Sequence, residues 1–95
     1  MAKEKITKSS GNVFTDLGFP PEEASVLAMR ADLMARLRLL FDQKGWTQEK
    51  AAKELGVAQS RISDLARGKW DKFSLDMLLM LASRAGLHPK LKIAA

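Results

Sequence analysis

The stretch GWTQEKAAKELGVAQSRISDLARGK, residues 45–69, contains two short helical patterns that meet at a glycine. Thr47 puts a side-chain oxygen just ahead of QEKAAKEL, which predicts an N-cap, and Glu49 falls near the positive end of that helix. Gly56 stands where the chain must leave the helix at positive φ, a conformation that costs glycine little. A second helix is expected over 59–67, closed in the same way by Gly68. Ala51, Leu55, Val57, Ile62 and Leu65 then share one use, burial between the two helices. Ala52 is the informative residue, because a larger side chain at the crossing would push the axes apart. Together these residues predict a tight helix-turn-helix over 47–67.

With Ile62 and Leu65 turned inward, Gln59, Ser60, Arg61, Ser63, Asp64 and Arg67 remain on the outer sides of the second helix. A B-DNA major groove admits one helix and displays donors and acceptors on base edges. Gln suits adenine there, Arg suits guanine, and Ser suits a base or a phosphate. Gln59, Ser60 and Arg61 lie nearest the helix start and are the expected base readers. Asp64, one turn on, either accepts from cytosine or orients Arg61 through an i,i+3 pair. Phosphate contacts are expected from Gln48 at a helix start and from Ser63, Arg67, Lys69 and Lys72. Lys44, Lys50 and Lys53 are further cations, of which Lys50 and Lys53 fit a solvated helix face at least as well. Trp70 either packs against its loop or touches the DNA backbone; Phe73 reads as core. Ala58 begins the second helix without a capping acceptor, a cost of about 1 kcal/mol.

The chain has 95 residues, enough for one small domain at 12–95 behind a polar, lysine-rich arm at 1–11. In NVFTDLGFPPEE, apolar Val13, Phe14, Leu17 and Phe19 surround a turn, and a short irregular element is expected. Pro21, Glu22 and Glu23 suit a helix start. From there to Lys44 helix formers run almost unbroken, as one helix or as two with a bend. Val26, Met29, Leu33, Leu37, Leu40 and Phe41 recur at three- and four-residue steps and predict its buried face. Ser74 is an expected N-cap for LDMLLMLASRA, a helix with hardly any polar side. It is either the centre of a small bundle or a helix shared with a second subunit through Leu75 and Leu79. Leu91 and Ile93 alternate with Lys90 and Lys92, a short strand pattern whose simplest partner is its own copy in a dimer.

The formal net charge of +5 suits a polyanion. The cations concentrate in the opening stretch and at the two ends of the chain, whereas 12–43 is net acidic. Without cysteine there are no disulfides, no Cys-ligated zinc and no thiol chemistry, which fits a reducing cytoplasm. The opening MAKEKITKSSGN has no apolar core and reads as neither a leader nor a membrane span. Enzyme chemistry finds no footing. His88 is the sole histidine, the carboxylates do not gather, and SSGN lacks the lysine and spacing of a phosphate loop. No cofactor is expected. No aromatic pair is placed to stack on RNA bases.

TQEKAAKELGVAQSRISDLARGK followed by FSLDMLLMLA resembles the Xre/Cro repressor class of helix-turn-helix proteins. With NVFTDLGFPPEEA and GKWDKFSLD added, residues 12–86 are similar to the HigA-like antitoxins and small regulators of bacteria and phages. The resemblance implies an all-α, compact five-helix, lambda-repressor-like domain that binds a palindromic DNA operator as a homodimer. It also implies a HigB/RelE-like mRNA-cleaving toxin as partner, although stand-alone regulators share the fold. The class's recognition positions fall on Gln59, Ser60, Arg61 and Asp64, and its phosphate position falls on Gln48. Ala58 and Pro89 depart from the pattern, the latter interrupting the strand-like tail. A protein-interaction module built on the apolar helix at 74–85 is the rival reading.

Overall fold

A computed structural model describes residues 12–94. The arm expected over 1–11 lies outside the described residues. Among them five α-helices follow in order: α1 Val13–Asp16, α2 Pro21–Lys44, α3 Gln48–Leu55, α4 Gln59–Ala66 and α5 Leu75–Arg84, with a 3-10 turn Trp70–Lys72 ahead of α5. The expected all-α architecture is the observed one.

The long segment is a single helix of 24 residues. It begins on Pro21, and neither Gly nor Pro interrupts it before Gly45. Its buried residues are Ala24, Leu27, Met34, Leu37 and Phe41. Of the expected face, only Leu37 and Phe41 are buried, Leu33 and Leu40 are partly buried, and Val26 and Met29 are exposed. The helix carries two adjacent apolar stripes at helical spacing, and docking of the other elements selects between them. Ala24 and Leu27 join Phe14 in a small cluster, while Met34, Leu37 and Phe41 enter the main core.

The element expected to be irregular at 12–19 is a one-turn helix. Asn12 caps it by accepting from the Phe14 amide at 2.9 Å, and its Nδ2 donates to the Ala24 carbonyl at 3.1 Å. Phe14 is buried there, whereas Val13 and Leu17 point to solvent.

Around the main core, Ala51, Ala52 and Leu55 of α3 meet Ile62 and Leu65 of α4, with Phe73 and the Leu78, Leu81, Ala82 side of α5 beneath them. Val57 packs on this core and stays partly exposed. Ser74 caps α5 by accepting from the Met77 amide at 3.1 Å. That helix is not enclosed on all sides. Leu79 is 37% and Met80 54% exposed, so its apolar circumference exceeds what the described residues cover.

Residues 87–94 form no strand, and Leu91 and Ile93 are more than four-fifths exposed. The physical reason is that the tail has no neighbouring strand among the described residues, and Pro89 supplies no N–H.

Ala58 starts α4 with no side-chain cap, as expected. Replacing it by Ser should therefore raise stability by about 1 kcal/mol and the melting temperature by roughly 4–8 °C, measurable by thermal circular dichroism. An unchanged melting temperature would show that the amides of this helix start are already satisfied in solution.

Candidate nucleic-acid interface

The geometry of the opening stretch follows from three local choices. Thr47 Oγ1 accepts from the Lys50 amide at 3.1 Å and fixes the start of α3. Gly56 closes it at φ +69°, where a β-carbon would be strained, and the Val57 amide donates to the Ala52 carbonyl at 3.0 Å. Ala52, 7% exposed, lies in the core with Ile62 and Leu65, and so lets α4 pack close against α3.

Two arginines that carried no sequence signal complete the arrangement. Arg38 Nη1, from α2, donates to the Leu65 carbonyl at 3.1 Å, and Arg84 Nη1, from α5, donates to the Leu55 carbonyl at 3.0 Å. Each guanidinium meets a carbonyl in the last turn of a short helix, where the helix dipole favours a cation. The helix pair is thereby tied to both flanking helices. A basic side chain 27 or 29 residues from its partner leaves no trace in local spacing.

On α4 the outward residues are Gln59, Ser60 and Arg67, all exposed, with Ser63 and Asp64 partly buried at the edges. Gln48 is exposed at the start of α3, and Lys72 is exposed on the 3-10 turn. Arg61 sits differently from its neighbours. It lies four residues before buried Leu65, and its Nη1 donates to the Lys72 carbonyl at 3.2 Å. Its guanidinium carbon lies 5.6 Å from the centre of the Phe73 ring. Of the two alternatives for Asp64, the pair with Arg61 does not form, and Asp64 pairs with Lys69 at 3.8 Å.

The remaining cations divide. Lys50 is held by Glu54 at 3.0 Å across one helical turn, which fits the solvated-face reading. Lys44 lies over the Trp46 ring at 5.4 Å. Trp70 packs edge-on against Phe14 and Phe19, with ring centres 5.2 and 6.1 Å away, and joins the 3-10 turn to the small cluster of α1 and α2. The ring is packed, on α1 and α2 as well as its own turn, and stays partly exposed.

A second feature lies between α2, α5 and the tail: an open groove of about 780 Å³ lined by Leu33, Leu40, Leu75, Leu79 and Leu91 among others. Three of the residues expected at a dimer interface, Leu75, Leu79 and Leu91, thus share one surface, and Ile93 stands outside it. His88 also lines the groove. Among the described residues no group of His, Asp or Glu is placed to hold a metal, and no helix is long and apolar enough to cross a membrane.

A family model described as a helix-turn-helix domain matches residues 13–94. No curated protein and no solved structure matches the chain.

Proposed function

This chain belongs to the helix-turn-helix domain family, and on that premise we propose that it is a sequence-specific transcriptional repressor. One observation carries the reading. Gln59 and Ser60 stand exposed at the first turn of α4, on a helix whose other side is fixed by Ile62 and Leu65. Residues at that end of a groove-bound helix reach deepest toward base edges. Asp64 is the next base-reading candidate along the groove, and Ser63 at the helix edge is a phosphate contact. Gln48, Arg67, Lys69 and Lys72 flank this face and supply phosphate contacts, which give affinity through counterion release without selecting a sequence.

The apolar surplus on α5 supports a homodimer, and a two-fold dimer would suit a palindromic operator. Joining two copies through the groove at Leu75, Leu79 and Leu91 would bury apolar surface that the described residues leave exposed, and exposed Ile93 is a further candidate for that interface. Two recognition helices then have to stand about 34 Å apart, one turn of the duplex. Two bodies with short dimensions of 27 and 26 Å can meet that spacing side by side. The likeness of residues 12–86 to HigA-like antitoxins extends the proposal to a HigB/RelE-like toxin as a protein partner, with the repressor acting on a promoter that both genes share.

The test combines sedimentation of the purified chain with mobility shifts on the DNA upstream of its own gene. The reading expects a dimer that retards this fragment and loses it steeply as salt rises. A chain that leaves the fragment free at low salt would favour a protein-interaction module. Retardation in a locus without a neighbouring toxin gene would reduce the proposal to a stand-alone regulator.

A further inference from the structure

The surroundings of Arg61 assign it a different task from the residues beside it. On α4 the open side runs through Gln59, Ser60, Ser63 and Arg67, while Arg61 flanks Leu65, which is fully buried. Its side chain crosses to the segment after the helix, where Nη1 donates to the Lys72 carbonyl at 3.2 Å and the guanidinium stacks over Phe73, itself 2% exposed. One further contact ties this segment to α4, and another holds the end of α4 itself. Asp64 pairs with Lys69 at 3.8 Å, and Arg38 Nη1 reaches the Leu65 carbonyl at 3.1 Å, beside the chain reversal at Gly68 with φ +71°. The 3-10 turn at Trp70–Lys72 is short, and three residues make too few backbone bonds to orient themselves. The Lys69 amide, which donates to the Asp64 carbonyl at 3.0 Å, and the packed Trp70 and Phe73 rings seat the segment, and a side-chain tie from α4 to its Lys72 end adds to them.

We infer that Arg61 is a positioning residue that locks the basic turn carrying Lys69 and Lys72 to the helix carrying Gln59 and Ser60, and that it does not read a base. This deepens the proposed function and rests on it. A duplex meets α4 in its groove and the turn on its backbone, so the two must keep one relative geometry to engage together. Arg61 adds to that constraint from within the protein, at the Lys72 end of the turn. Reaching a base edge would require it to give up a charge-assisted hydrogen bond and an aromatic stack at once, and would remove the one side-chain tie it makes from α4 to the Lys72 end of the turn. The base preference then belongs to Gln59, Ser60 and their neighbours on the open side, with Arg61 acting on affinity through the turn.

Two measurements on the full chain test this. Hydrogen exchange of the free protein should show the amides of Lys72 and Phe73, which donate to Lys69 and Trp70, exchanging about tenfold faster in Arg61→Ala, with amides of α3 unchanged. Arg61→Lys keeps a cation over Phe73 and one donor for the carbonyl, and should restore most of that protection. Duplexes enriched from a random pool by the parent and by Arg61→Ala should share one base preference. The variant's affinity should fall about tenfold on matched and mismatched duplexes alike, with a shallower salt dependence. Relaxed preference at a single base pair with an unchanged salt slope would overturn the inference, as would unaltered exchange in the turn. If the parent enriches no duplex, the DNA-binding proposal falls, and the exchange experiment still decides whether Arg61 holds the turn.

Discussion

Replacing Leu65 by Ala should lower the stability of the domain by about 2–5 kcal/mol. The side chain is fully buried and lies in the main core with Met34, Leu37, Ile62 and Phe73. Removing three of its carbons forfeits their transfer free energy, and a cavity remains at the base of α4. A domain of this length has a total stability of roughly 5–14 kcal/mol, so the loss is a large fraction of it. At about 4–8 °C per kcal/mol, the melting temperature should fall by roughly 8–40 °C. Gln59→Ala provides the contrast, because its exposed side chain makes no contact on which the fold depends, and its stability should stay within about 0.5 kcal/mol of the parent. Thermal and urea denaturation of the two variants checks both figures. A Leu65→Ala protein as stable as the parent would mean that α4 is not seated on this core.

The second large effect separates stability from function. Ala52→Leu should cost about 1–3 kcal/mol, because a well-packed crossing must shift to admit the added carbons. At temperatures where the variant is still folded, its DNA affinity should fall further than any loss of folded protein accounts for. A wider crossing moves α4 outward and turns it away from Gln48 and the basic turn, so the groove and backbone contacts no longer meet one duplex. Ala52→Gly serves as the control. It costs about 1 kcal/mol of helix propensity without pushing the helices apart, and should bind DNA as the parent does. Equal binding by all three proteins would sever the link between the crossing distance and recognition.

The helix-turn-helix was legible because its signals are local. Thr47, Gly56 and Gly68 mark ends by capping and backbone conformation, and Ala51, Leu55, Ile62 and Leu65 fall on inward faces at helical spacing. Ser74 and Pro21 were legible for the same reason. The register of α2 was not. Its apolar residues satisfy two stripes, and the choice was made by Phe14 and α5, which lie far away in sequence. Arg38 and Arg84 show the same limit, since their carbonyl partners are 27 and 29 residues distant. Within the candidate site, residue types pointed to Gln59, Ser60, Arg61 and Asp64 as one set. The fold leaves the first two exposed, ties Arg61 to Lys72 and Phe73, and pairs Asp64 with Lys69. Arginine's suitability for guanine is a statement about chemistry. Where a long side chain rests depends on the loop that returns beside it.

The central claim, that the outward side of α4 reads a duplex, is tested most directly by measuring the affinity of Gln59→Ala against the parent on the duplex the parent prefers and on single-base variants of it. The account predicts a loss of about 1–3 kcal/mol on the preferred duplex and relaxed discrimination at one base pair in each half-site. Undiminished affinity with discrimination intact at every position would contradict it.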